Sequence, residues 1–388
     1  MHLPIRATVT LSALLFTVAD STGPWHASAD ADHVGYVYVN DNTATANTIA
    51  GFARHGDGTL TPLVGSPFAT GGAGTGTIIG SQGTLQLTSD GRYLLAVDAG
   101  SNQISVLGVA SNGALQAISS PVSSGGIEPV SIAVHEGLVY VANEGNGTAG
   151  SNYTGFTLST AGQLTPLSGS TVALPPTAAP GDVLFNPTGT HLIGTEVGPA
   201  NGPSFIDSFT VGPTGLLTAA PGSPFAAQAT GPFGSAFSPT NPSRLYVSNA
   251  HAGPNLGTIS AYTVGSDSSL NSIGASPYPD KQTAPCWVEI TPGGRYLFAV
   301  NTAVPSISRY EILGDGSLSL LGSTVFNDPT GLRPFDLRLD PSGNRLYVVD
   351  AGLAMVSGFA VRAGHLRELP SSPVALPTGA TPFGIVVS

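Results

Sequence analysis

The chemistry-bearing residues of this chain are mainly carboxylates. Its 388 residues include 23 Asp and Glu, eight His and a single Cys. Asp98, Glu144, Glu196 and Asp350 fall at or just past the ends of apolar runs of one kind. Glu128, Asp182, Glu289 and Asp336 fall at or within runs of a second kind. If the fold turns several of these acids toward one opening, like-charge repulsion raises some of their pKa values. A carboxyl group shifted toward neutrality can serve as a general acid or base, or help to hold a cation. Asn or an acid recurs at the end of every run of the first kind, so that position also suits capping of loop amides. A catalytic group is needed once, which singles out Glu128, Glu144 and Trp287 as residues outside the repeated theme. Arg333, just before a run of the second kind, could polarise a carbonyl. His251 lies in the Gly/Pro/Asn-rich stretch 250–257.

Other chemistries lack their parts. Gly145, Gly147 and Gly150 have dinucleotide-loop spacing, but that motif must open a helix, and Tyr153–Leu158 alternates like a strand. There is no Gly-x-Ser-x-Gly elbow, no His-Glu-x-x-His and no alternating Asp/Asn calcium loop. Cys286 alone cannot form a zinc cluster, and it opens an apolar run, where packing is its expected role. No cofactor and no metal are expected. Only 9% of residues are charged and the net charge is −11, with one Lys, Lys281. A basic stripe for nucleic acid cannot be assembled from that inventory, and an anionic membrane surface is an equally poor partner.

The elements that must position these acids are repeats. A theme recurs as Tyr38-Val39-Asn40, Leu95-Ala96-Val97-Asp98, Tyr140-Val141-Ala142-Asn143, Ile193-Gly194-Thr195-Glu196, Tyr246-Val247-Ser248-Asn249, Phe298-Ala299-Val300-Asn301 and Tyr347-Val348-Val349-Asp350. The spacing of 45 to 58 residues is that of a propeller blade. Each repeat resolves into four short strands. Phe335–Leu339 is a first strand, Arg345–Asp350 a second, and Ile307–Ile312 and Ile259–Val264 are third strands. A Gly turn follows the third, and Ser-Pro steps such as Ser66-Pro67 and Ser372-Pro373 follow the fourth. The expected fold is all-β, a seven-bladed propeller of four-stranded blades. The first repeat starts at Val34 without a first strand, while Phe383–Val387 has no second strand after it. Pairing of that tail into the first blade would close the ring.

The Tyr-Val-x-Asn theme, the blade length and the Pro-Ser-Gly-Asn-x-Leu-Tyr-Val run at 341–348 resemble the lactonase family of seven-bladed propellers. That family includes 6-phosphogluconolactonases and carboxymuconate-lactonizing enzymes. The resemblance implies hydrolysis of a lactone or ester on a small molecule in the axial funnel. Glu144, in the family-like Asn143-Glu144 step, would be the base, and Arg333 would polarise the carbonyl. Glu128, Trp287, Glu196, Asp98, His251 and Asp336 would contact the ligand. Family enzymes carry Arg or His after the proline that starts a first strand. Here those steps read Pro129-Val130, Pro180-Gly181, Pro232-Phe233, Pro285-Cys286, Pro334-Phe335 and Pro382-Phe383, with Arg333 on the other side of its proline. A non-catalytic secreted or envelope binding scaffold is the alternative.

Met1–Arg6 is a short basic start, Ala7–Ala19 is apolar, and Ala27-Ser28-Ala29 suits a signal peptidase. Residues 1–29 are therefore expected to be a signal peptide and 30–388 a single propeller domain, secreted or periplasmic. The mature chain is expected to have no membrane span and to be a monomer. Its partner would be a small-molecule ligand or an extracellular or envelope protein.

Overall fold

The computed structural model describes residues 33–388; the expected signal segment, residues 1–29, lies outside the described residues. Seven antiparallel sheets follow one another in the order first, second, third and fourth strand. The seven first strands are Leu85–Leu87, Pro129–His135, Pro180–Phe185, Pro232–Ser238, Pro285–Ile290, Pro334–Leu339 and Ile385–Val387. Neighbours in this series pack side by side and return from the last to the first, so the fold is a seven-bladed propeller. Blades are numbered by their second strands, beginning with His33–Asn40; the second blade holds Tyr93–Asp98 and the seventh Arg345–Asp350. In six blades a two-residue strand beyond the Ser-Pro region also pairs with the third strand, as Phe68–Ala69 does with Thr48–His55. No helix among the described residues is long and apolar enough to cross a membrane.

Second strands such as Leu138–Asn143 are buried along nearly their whole length, because the blades on both sides cover them. That explains continuous apolar runs where a half-exposed strand would alternate. The recurring tyrosine staples one blade to the next. Tyr38 Oη donates to the Gly113 carbonyl (2.7 Å), Tyr140 to Gly215 (2.9 Å), Tyr246 to Gly316 (2.9 Å) and Tyr347 to Gly58 (3.0 Å). Each acceptor is a glycine at positive φ in the turn between third and fourth strands, a conformation glycine adopts without steric cost. The Ser-Pro serines act within a blade: Ser66, Ser223, Ser276 and Ser372 Oγ accept from third-strand amides.

The tail closes the ring. Val37, Tyr38 and Val39 pair with Val387, Val386 and Ile385. The seam is reinforced by Arg54 Nη1 to Asp340 Oδ2 at 3.2 Å, both side chains buried, and by Thr84 Oγ1 donating to the Phe383 carbonyl at 2.6 Å. The Tyr347–Gly58 staple crosses the same seam.

Candidate functional site

The acids at the ends of second strands are buried, together with the asparagines at equivalent positions. Asn40 Nδ2 donates to the Val97 carbonyl, Asn249 to Thr258 and Ser260, and Asn301 to Ser306 and Ser308. Asp98 accepts from Asn47, Thr70 and Ser105, and Asp350 from the Arg333 and Leu353 amides. Burial raises the pKa of Asp98 and of Asp350, while these hydrogen bonds oppose the rise. Both acids have the hydrogen-bonding pattern of structural caps.

Glu196 belongs to a different arrangement. Its carboxyl group meets that of Asp207 inside the fourth blade, and Tyr153 Oη from the third blade donates to Asp207 Oδ2 at 2.9 Å. Burial and the neighbouring Asp207 charge push the Glu196 pKa well up, so it holds a proton that Asp207 accepts.

The axial opening on the face of the second-to-third-strand loops is filled by the protein itself. The chain between the first and second blades dips into it at 78–83. Ile79 is buried against an aromatic arc in which Phe233 and Trp287 lie 5.2 Å apart, Trp287 and Phe335 4.7 Å, and Phe335 and Phe383 4.7 Å. Trp287 Nε1 donates to the Ser81 carbonyl at 2.7 Å, and Ser81 Oγ to the Val130 carbonyl. Gln82 crosses the channel: its amide donates to the Gly181 carbonyl, its Nε2 to Ser235, and its Oε1 accepts from the Val288 amide. Trp287 is thus fully enclosed and is a support of this plug. Sequence reasoning missed Ser81 and Gln82. The signal was the spacing of 58 residues between Asn40 and Asp98, the longest in the series, which provides the extra chain.

Glu128 and Glu144 come together on that face, off the axis. The Glu144 amide donates to the Glu128 carbonyl at 2.9 Å, and the Glu128 amide donates to Asn102 Oδ1 at 2.8 Å. Both acids line an open hollow of about 450 Å³ with Asn146, Thr177 and Pro199. Burial, then the Glu128 charge, pushes the Glu144 pKa up to about 7. Burial also raises Glu128. Glu128 has φ +54° immediately before Pro129, where a non-glycine residue is strained. The equivalent positions before Pro180, Pro232 and Pro285 carry Ala179, Gly231 and Ala284, so two acids at this step occur in the third blade alone among these four.

Arg333 is the seventh-blade counterpart of Glu128, four blades on around the ring. It is exposed, its guanidinium lying 5.8 Å from the Phe335 ring centre, and it does not line the hollow that holds Glu144. The structure therefore does not place this Arg beside the proposed base. His251 is exposed on the fifth-blade loop, its amide donating to the Thr230 carbonyl, and partial burial of its ring lowers its pKa. Asp336 is buried on the axis, with Oδ1 accepting from the Leu337 amide and burial raising its pKa. Among the described residues no group of three or more His, Cys, Asp or Glu side chains is arranged to hold a metal.

Residues 219–386 match the family described as "Lactonase, 7-bladed beta-propeller". The chain is a seven-bladed propeller whose C-terminal part resembles that family. A solved structure described as "a putative 6-phosphogluconolactonase" from Bacteroides uniformis superposes with a TM-score of 0.71 at 20% identity, covering 92% of this chain and 100% of that one. The periplasmic gluconolactonase of Pseudomonas aeruginosa gives 0.68 at 17% identity, covering 91% and 98%. A protein from Lactobacillus plantarum gives 0.69 at 18%, covering 91% and 99%. At these identities the likeness is one of fold. No curated protein matches the sequence.

Proposed function

We propose that this protein is an exported hydrolase of small lactones or esters, with Glu144 as general base. The observation that carries the reading is the paired acids of the third blade, facing an open hollow with Glu144 near neutrality. The Glu144 carboxylate takes a proton from water as the water oxygen bonds to the substrate carbonyl carbon. The ester C–O bond then breaks, and the leaving alkoxide recovers that proton from Glu144, giving the hydroxy acid from a lactone or the acid and the alcohol from an ester. Glu128 acts through its charge, which keeps Glu144 basic enough for this transfer. A neutral substrate suits the hollow, because no Arg, Lys or His lines it. The basic, apolar and small-residue series at the start of the chain supports export.

One observation favours the alternative, a non-catalytic binding scaffold. Leu256, Val304 and Leu353 are exposed on the second-to-third-strand loops of three successive blades, so one face of the ring carries three large apolar side chains that a partner would cover. Hydrolysis of a panel of neutral lactones and aryl esters by the purified protein and by E144Q separates the two. Turnover lost in E144Q supports the hydrolase; equal background rates for both proteins leave the scaffold.

A further inference from the structure

The opposite mouth of the central channel is open. A cavity of about 340 Å³ lies there, lined from six of the seven inner strands and their turns, within the range of small-molecule sites. Its inner end is the Gln82 amide, already bound to Ser235 and Val288. Its walls mix apolar side chains, Leu184, Phe185, Phe237 and Ile290, with the polar Gln86, His135 and Asn186. Among them stands one charged pair, Arg338 Nη1 donating to Glu289 Oε2 at 2.9 Å. The two side chains remain 18% and 19% exposed. That single bond leaves the other guanidinium N–H groups available to a ligand, and Glu289 Oε1 has only a long 3.4 Å contact with the Leu339 amide.

The charges around the pair restrict the ligand. Asp182 and Asp336 lie deeper on the axis and act on Arg338. Asp182 is bound by Ser131 and Ser235, and Asp336 by the Leu337 amide. A simple anion would meet three carboxylates, and a simple cation would meet the guanidinium. A sugar could use Gln86, His135 and Asn186, but it carries no charges to match the guanidinium and the carboxylate, and a charge desolvated without a partner is costly. A ligand with an anionic and a cationic group side by side on an apolar body matches the pair, and its body fits against Leu184, Phe185, Phe237 and Ile290.

We infer that this axial cavity binds an apolar α-amino acid, its carboxylate on Arg338 and its ammonium on Glu289. The site is independent of Glu144, which opens on the other face. Calorimetric titration of the unaltered protein tests it with leucine, leucine methyl ester, N-acetylleucine and glucose. Leucine is expected to bind, with the ester and the N-acetyl compound at least tenfold weaker and glucose silent. Absence of leucine binding at millimolar concentration, equal affinity for all three leucine compounds, or tighter binding of glucose overturns the inference. E289Q and R338M, checked for cooperative melting, should each weaken leucine at least tenfold; unchanged affinity in a folded variant also overturns it. Should either variant fail to fold, the ligand series on the unaltered protein decides.

Discussion

The Glu144 amide donates to the Glu128 carbonyl at 2.9 Å, and the same backbone bond recurs from Val197 to Ala179, Ala250 to Gly231, Thr302 to Ala284 and Ala351 to Arg333. The propeller thus builds one cradle repeatedly and varies the two side chains it juxtaposes. In the third blade both are acids, so repulsion between them is a consequence of the scaffold. This regularity also explains why Glu144 and Arg333 do not meet: they occupy cradles in different blades.

Glu128 occupies its cradle at a cost. At φ +54° before a proline a glycine is less strained, and the fifth blade has Gly231 there. E128G is expected to stabilise the protein by about 0.5–1 kcal/mol in chemical denaturation. It should also lower the Glu144 pKa, since the neighbouring charge is gone. Loss of stability would show that the Glu128 side chain supports the fold.

The plug is expected to hold the ring together from within. Q82A removes partners from the Ser235 carbonyl and the Val288 amide, and a buried group left unpaired costs about 1–3 kcal/mol. Denaturant titration should show a drop of that order or somewhat more. A change within ±0.5 kcal/mol would mean that water replaces the amide readily.

Ring closure makes a separate prediction. Deleting residues 382–388 removes three strand pairs at Val37–Val39, the Phe383 aromatic contact and the Ser388 carbonyl that accepts from Arg54. The first blade would then lack its inner strand, and the whole ring should melt at a lower temperature, since that pairing joins the last repeat to the first and covers the inner edge of the first blade. An unchanged melting temperature would contradict the closure.

The Glu196–Asp207 pair should make stability depend on pH. The folded state holds a proton on Glu196 that the unfolded chain releases at an ordinary glutamate pKa, so stability falls as pH rises between the two values. Other raised acids, including Asp41 and Asp182 at about 7, add to that decline. The diagnostic is therefore a difference. E196Q keeps a donor toward Asp207 without an ionisable proton, and its melting temperature should fall less than that of the unaltered protein from about pH 5 to about pH 9. Parallel curves would show that the pair contributes nothing.

The architecture was legible because repetition exposes it. Tyr-Val-x-Asn, the Ser-Pro steps and the unmatched tail each correspond to a specific bond or strand pair: the Tyr140–Gly215 staple, the Ser223–Ser208 contact, and the pairing of Val39 with Ile385. Asp336 lies on an inner strand, as its place in a run of the second kind implied, whereas the meeting of Glu128 with Glu144 off the axis had no signal in the strand pattern. Their neighbours were less legible. Which side chains fill a channel depends on an irregular loop, and no period predicts that Gln82 spans from Gly181 to Val288. Asp336-Leu337-Arg338 alternates charge along an inner strand, but the partner of Arg338 is Glu289 on the neighbouring blade, and no spacing along the chain announces that pair.

The most direct test of the paired-acid site is the pH dependence of kcat/KM for hydrolysis of a neutral lactone. The unaltered protein should show activity rising through an apparent pKa of about 7 as Glu144 ionises, and E128Q should shift that limb to lower pH by removing the adjacent charge. E144Q should lose about 100-fold or more of the rate. A profile without this limb, or one that E128Q leaves in place, would contradict the assignment of Glu144 as the base.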